Sequence, residues 1–112
     1  KQQASKEDPF LMVLAWGKPH FPHDSAPEEL KKEFPKEDII LRDNVPKELR
    51  ERAWEEAVGY YAHMLALDKC MGDLQMALQE AGIAENTIVV FTADHGEMMG
   101  SQGVTPKQKQ VP

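Results

Sequence analysis

An acid and an imidazole are adjacent at Asp94 and His95, one residue after the apolar run 87–92. A carboxylate oxygen suits Ca²⁺ or Mg²⁺, and an adjacent imidazole can add a nitrogen ligand or hydrogen-bond a bound anion. The structural alternative is an aspartate that caps the next helix beside a partly exposed histidine. Two ligands do not make a metal site, so residue types alone favour the alternative. Their position at the end of a predicted strand favours function.

The other histidines differ in their surroundings. His20 lies between Pro19 and Phe21 in a loop that follows another apolar run. The prolines restrict the backbone of this loop, and His20 is a candidate contact for an anionic substrate. His23 is predicted to be a solvated loop residue, and His63, inside a helical stretch, a surface or packing residue.

Lys107 and Lys109 flank a glutamine in a polar stretch near residue 112. A basic residue close to a metal–carboxylate site would neutralise a transferring oxyanion. On composition alone, both are ordinary solvated lysines. Cys70 is predicted to be a buried, inert thiol, and as the single cysteine it excludes an intrachain disulfide.

Length and charge limit the classes of protein. The 112 residues suffice for at most one domain, and the formal charge of −6 argues against a general nucleic-acid-binding surface. No apolar run approaches the roughly 20 residues of a membrane span. Both ends are interpreted as cuts inside a longer protein, because the chain starts without Met and stops abruptly.

The hydrophobic pattern predicts an α/β fold. Two unbroken apolar runs, Phe10–Trp16 and Thr87–Thr92, indicate parallel strands buried on both faces. Between them, residues 47–81 have helical periodicity and predict a long helical crossover, with a break near Gly59. Gly82 is placed to cap the end of that helix.

Four segments, taken together and in order, resemble the sulfatase family. The most specific is residues 86–100, which contains Thr92-Ala93-Asp94-His95-Gly96 and is similar to the family's second metal-binding segment. The other segments are 10–22, with an apolar run entering a Pro-His loop, 60–68, and 109–112. The resemblance implies an alkaline-phosphatase-like α/β fold, of which residues 1–112 would be the middle of the catalytic domain.

The resemblance also implies an activity and roles for particular residues. Sulfatases hydrolyse sulfate esters with a divalent cation, commonly Ca²⁺, and a formylglycine made from Cys or Ser in Cys/Ser-x-Pro-x-Arg. By resemblance, Asp94 and His95 would be metal ligands. His20 would hydrogen-bond the sulfate or its leaving oxygen. Lys109 would contact the sulfate group, with Lys107 as the alternative lysine.

The chain also departs from the family pattern. It has no Cys/Ser-x-Pro-x-Arg, since Cys70 is followed by Met-Gly-Asp, and the family's paired acidic residues are missing. Lys18 stands where a proline is common, and Gln102 where a histidine is frequent. We therefore expect the formylglycine to lie outside this chain and the chain by itself to be inactive.

Two other functions remain open from the sequence. One is a phosphoesterase or phosphonate-ester hydrolase of the same superfamily, which an unmodified upstream Thr or Ser nucleophile would indicate. The other is a non-catalytic module that folds or oligomerises independently. Apolar surface left uncovered by this chain is expected to promote self-association. Family resemblance implies an exported, periplasmic or extracellular, or lysosomal location.

Overall fold

One long helix organises residues 8–104, the part of the chain that the computed structural model describes. The α-helices are α1, Glu28–Lys31, and α2, Arg50–Glu80, whose 31 residues extend about 47 Å. Single-turn 3₁₀-helices occupy His23–Ser25, Lys36–Asp38, Lys47–Leu49, Ala84–Asn86 and Ser101–Gly103. The His23–Ser25 turn and α1 both pack on α2, which therefore acts as the platform for the loops.

The end of α2 confirms the predicted glycine cap. Gly82 has a φ of +70° and donates its backbone N–H to the Gln79 carbonyl at 2.9 Å. Ile83 donates to the Leu78 carbonyl at 3.1 Å. These two bonds form a Schellman motif, in which a left-handed residue lets the chain satisfy the last helical carbonyls. The predicted helix over 47–81 is likewise confirmed, with its first residues forming a 3₁₀ turn.

The predicted break near Gly59 is wrong, because α2 runs without interruption through this residue. A Cβ added at Gly59 would lie 2.2 Å from the His23 carbonyl oxygen. The absence of a side chain therefore serves the close approach of a loop to the helix. Tertiary packing supplies the stability that a glycine removes from a helix interior.

The buried residues concentrate on the first half of α2. Ala53 and Ala62 are fully buried, and Leu67 is the last buried residue of the helix. Trp54 donates its Nε1–H to the Ile39 carbonyl at 2.8 Å and so fixes the connector that precedes α2. The apolar core among the described residues is small and consists of Ala26, Ile39, Val45, Ala53, Ala57, Ala62, Leu67 and Val104.

The predicted α/β fold with buried parallel strands is wrong for this chain. The described residues contain no strand, and both Phe10–Trp16 and Thr87–Thr92 are irregular. Leu11 is 90% exposed and Ile88 93% exposed. A strand needs hydrogen-bonded neighbours, and a strand buried on both faces also needs layers that cover it. Within residues 8–104, no backbone–backbone hydrogen bond reaches 10–16 or 88–92, so apolar composition alone does not produce a sheet here.

Beyond Leu67, α2 is exposed or half-buried. The prediction of a buried thiol is wrong, since Cys70 is exposed on this half of the helix. Among the described residues, no helix has the length and apolar character needed to cross a membrane.

Candidate functional site

Asp94 and His95 lie in an irregular segment and contact each other. The backbone N–H of His95 donates to Oδ1 of Asp94 at 3.0 Å, and the imidazole Nε2 lies 3.3 Å from Oδ2. The other ring nitrogen, Nδ1, is 2.9 Å from the Gly96 carbonyl oxygen. Because a carbonyl only accepts, Nδ1 carries the proton in this hydrogen bond. If the ring carries this single proton, its lone pair is on Nε2, beside a carboxylate oxygen; a second proton would instead be donated to that oxygen.

This pair fits part of a divalent cation site. Two donors that bind one Ca²⁺ at about 2.3–2.6 Å and at right angles lie about 3.3–3.7 Å apart. The separation of 3.3 Å between His95 Nε2 and Asp94 Oδ2 falls in this range. No helix begins directly after Asp94, so the carboxylate does not act as a helix cap. Residues 8–104 contain no group of three or more His, Cys, Asp or Glu residues able to hold a metal ion. Among the described residues, Asp94 and His95 are therefore two candidate donors, fewer than a cation site needs.

His20 lies on a tightly folded loop. Its backbone N–H donates to the Gly17 carbonyl at 3.2 Å, and its Nδ1 lies 2.6 Å from the Phe21 carbonyl oxygen. The Lys18–Pro19 and Phe21–Pro22 peptide bonds are cis. With Nδ1 bonded to the backbone, Nε2 is the ring nitrogen of this exposed histidine that a ligand can use.

Lys18 holds the same loop together from within. Its ammonium donates to Ser25 Oγ at 2.8 Å and lies 3.4 Å from the Pro22 carbonyl oxygen and 3.5 Å from that of His20. Ser25 in turn donates its hydroxyl to the Pro22 carbonyl at 2.9 Å. The sequence showed Lys18 only as a departure from a family pattern. The Lys18 side chain reaches acceptors at residues 20, 22 and 25 because the loop turns back on itself. The order of residues in the sequence does not reveal this turn.

The prediction that His23 is solvated is wrong. This side chain is 3% exposed and packs edge-on against Phe21 and Tyr60, with ring centroids 5.8 Å and 5.5 Å away. Its Nδ1 has no hydrogen-bond partner among the described residues. Burial lowers the pKa of His23 from its ordinary value of 6.5, and the carboxylate of Glu97 partly offsets that lowering. The packed form of His23 is accordingly the neutral one.

His63 is a packing residue, one of the two roles predicted for it. It is 4% exposed on α2, and its Nε2 lies 3.5 Å from Ser25 Oγ, at the long limit of a hydrogen bond. Burial lowers the pKa of His63 from 6.5, and the positive charge of Lys18 lowers it further. The His20 loop therefore meets α2 through two buried, neutral imidazoles.

The structure joins some predicted site residues and separates others. Asp94 and His95 are in contact, whereas no hydrogen bond or ion pair among the described residues links His20 to them. The carboxylate of Glu97 acts electrostatically on His23. The predicted Lys109 and its alternative at position 107 lie outside the described residues.

The segment after Asp94 and His95 is bonded to the connector before α2 and lies against the start of that helix. Gly100 has a φ of +80°, and a Cβ added there would lie 3.1 Å from the Cβ of Ala53. The N–H of Gly100 donates to the Val104 carbonyl, and that of Gln102 to the Asn44 carbonyl, each at 3.0 Å. Both candidate segments therefore rest on the first half of the same helix.

Comparison with known proteins decides the family. The family model described as Sulfatase matches residues 1–111. This chain belongs to the sulfatase family. This match confirms the resemblance seen in the sequence. Membership of the family supports the prediction that the parent protein is a hydrolase. No solved structure matches the chain.

Individual sulfatases resemble this chain over most of its length. It is 48% identical over 99% of its residues to an ulvan-active sulfatase of Formosa agariphila and covers 22% of that protein. It is 32% identical over 84% of its residues to an endo-4-O-sulfatase of Bacteroides thetaiotaomicron, covering 19%. An arylsulfatase of Clostridium perfringens is 31% identical over 82% of the chain, which covers 23% of it. The chain thus spans about a fifth of these sulfatases.

Proposed function

We propose that the complete gene product hydrolyses sulfate esters, and that Asp94 and His95 provide two ligands of its divalent cation, Ca²⁺ or Mg²⁺. The observation that carries this proposal is the 3.3 Å separation of Nε2 and Oδ2 in a chain of the sulfatase family. The hydrogen bond from Nδ1 to Gly96 supports it, because such a bond sets the tautomer that a metal-binding imidazole needs. The substrate class is a sulfate ester.

The cation and a formylglycine, expected outside this chain, would supply charge stabilisation and an oxygen nucleophile. In its doubly protonated form, His20 would donate Nε2–H to the sulfate group or its ester oxygen, while Nδ1–H donates to the Phe21 carbonyl. Lys109 places a positive charge against the sulfate and offsets the negative charge that develops on the leaving oxygen. Lys107 is the alternative for this last role.

Activity and metal content of the complete gene product test these roles together. Asp94→Ala is expected to lower the bound cation and to reduce sulfate release from an aryl sulfate by at least about 100-fold. His20→Ala is expected to keep the cation and to lose about 10²–10³-fold in kcat. Asp73→Ala, which removes an exposed carboxylate of α2, is the matched control and should change neither quantity. Full activity and full metal content in Asp94→Ala would overturn the proposal.

Separate Ala variants of Lys109 and Lys107 decide which lysine acts. The lysine that contacts sulfate should lose about 10²–10³-fold in kcat, whereas the other should stay close to the wild type. Equal, small effects of both would remove the lysine from the proposed site.

Paired substrates address the alternative chemistry of the superfamily. Faster release of phosphate from an aryl phosphate than of sulfate from the matching aryl sulfate would support a phosphoesterase. Release of neither would support a non-catalytic module. The 112-residue chain by itself is proposed to be inactive, because it carries no Cys/Ser-x-Pro-x-Arg motif. An exported or lysosomal location is proposed from the family alone.

A further inference from the structure

The ammonium of Lys18, a residue that is half-buried as a whole, lies among oxygen atoms of the loop that carries His20. The three acceptors are Ser25 Oγ at 2.8 Å and the carbonyl oxygens of Pro22 and His20 at 3.4 and 3.5 Å. A lysine ammonium has three donors and no acceptor. Its hydrogen-bonding capacity is therefore directed into the protein, and the side chain acts on the loop rather than on a ligand.

The backbone connects the acceptors of Lys18 to the acceptor of the His20 ring. The ring nitrogen Nδ1 is bonded to the Phe21 carbonyl, which belongs to the peptide unit that precedes Pro22. The next carbonyl, that of Pro22, accepts from both Lys18 and Ser25. The peptide units on either side of Pro22 therefore connect the ammonium to the imidazole. A displacement of the Pro22 carbonyl would reorient the acceptor that holds the ring.

The loop is also tied to α2 on its far side. Ser25 Oγ lies 3.5 Å from Nε2 of the buried His63, and the His23 carbonyl approaches Gly59 too closely for a side chain. Since the Ser25 proton is donated to Pro22, a hydrogen bond in the Ser25–His63 contact requires His63 as the donor. Ser25, which accepts from Lys18, is therefore itself in contact with α2. The helix holds the position of this acceptor.

We propose that Lys18 is a positioning residue of the sulfatase reaction: its ammonium fixes the carbonyls of the 18–25 loop and thereby orients the His20 imidazole toward the sulfate group. This inference rests on the proposed role of His20 and adds a residue to which no catalytic role is otherwise assigned. Lys18 acts through His20 and does not itself contact the substrate.

Three variants of the complete gene product separate the ammonium from the length of the side chain. Lys18→Met keeps the aliphatic chain and removes the donors, and it should lower kcat by about 10–100-fold with a smaller change in KM. Lys18→Arg keeps a positive charge and several donors and should recover part of the loss. Lys69→Met, on an exposed turn of α2, is the matched control and should match the wild type.

A double-mutant cycle tests whether Lys18 works through His20. If it does, Lys18→Met should cause no further loss of kcat in a protein that already carries His20→Ala. A loss in that background as large as in the wild type would show a general destabilisation and would overturn the inference.

Hydrogen exchange gives a measurement that does not depend on activity. Lys18→Met should increase exchange in peptides that cover residues 18–26, and Lys18→Arg should restore much of the protection. An active wild type with unchanged kcat and exchange in Lys18→Met overturns the inference and leaves the proposed function intact. A wild type that releases no sulfate overturns the proposed function. The exchange result then decides, without activity, whether the ammonium orders the loop.

Discussion

The carbonyl oxygen of His23 occupies the space that a side chain at Gly59 would need. A Cβ at position 59 would lie 2.2 Å from that oxygen and 2.7 Å from the carbonyl carbon. The conflicting atoms belong to the backbone, so no rotation of a side chain can relieve the contact. The backbone of the loop that carries His20 therefore packs directly on the backbone of α2 at Gly59.

Gly59→Ala should destabilise the protein by roughly 1–3 kcal/mol, because overpacking forces the loop away from α2. This loss should exceed the gain of about 1 kcal/mol that alanine gives over glycine within a helix. Gly72→Ala is the matched control, since a Cβ there meets nothing within 4 Å, and it should stabilise by about 0.5–1 kcal/mol. Urea unfolding measures both changes, and a Gly59→Ala protein more stable than the wild type would contradict the close contact.

The free energy of unfolding should fall as the pH drops below about 6.5. Burial lowers the pKa of His23 and His63 in the folded protein below their ordinary value of 6.5. Below 6.5 the unfolded chain binds protons that the folded chain resists, so acid favours unfolding until the folded pKa values are passed. Unfolding midpoints measured from pH 7.5 downward should show this slope. His63→Gln, which cannot titrate, should flatten it, and an unchanged slope would remove His63 as a contributor.

The 112-residue chain alone should bind Ca²⁺ weakly, with a dissociation constant above about 10⁻³ M. Its described residues offer two candidate donors, whereas Ca²⁺ takes six to eight. Calorimetry on the isolated chain measures this directly. Micromolar binding that Asp94→Ala abolishes would show that the chain contains a complete site and would contradict the prediction.

The isolated chain should self-associate through its two uncovered apolar segments. Leu11 and Ile88 are 90% and 93% exposed, and neighbouring residues of both segments are also exposed. Contiguous exposed apolar surface favours association. Combining Leu11→Glu with Ile88→Glu should shift the sedimentation velocity toward that of a monomer. Ile40→Glu, at a residue 94% exposed but outside both segments, is the matched control and should leave association unchanged. A wild-type chain that stays monomeric would refute this prediction.

Local patterns predicted the helix but not its surroundings. The periodic apolar residues and Gly82 predicted α2 and its end because both signals are local to the helix. The length of the helical pattern favours a break at Gly59, but a glycine that admits a neighbouring backbone looks the same in a sequence as one that interrupts a helix. The apolar runs 10–16 and 87–92 predicted strands, yet a sheet depends on partners that residues 8–104 do not provide.

The candidate site divides in the same way. The sequence shows that Asp94 and His95 are adjacent, but only the structure shows Nε2 beside Oδ2 with Nδ1 bonded elsewhere. The sequence predicts a solvated His23 because loop histidines are usually solvated. The helix that buries it is distant in sequence. The contacts of Lys18 are not predictable from the sequence for a related reason. Its acceptors are mostly carbonyl oxygens, which every residue carries.

The loop that carries His20 packs on Gly59 and His63, while Gly100, at the start of the Ser101–Gly103 turn, packs on Ala53. The placement of the two loops relative to each other therefore depends on the angle around the helix axis between Ala53 and Gly59. Each residue of an α-helix advances the direction of its side chain by about 100°. One residue inserted into α2 between Ala53 and Gly59 would swing one loop around the axis relative to the other. The segments proposed to contact sulfate and to bind the metal would then be out of register, although every residue of both would be unchanged.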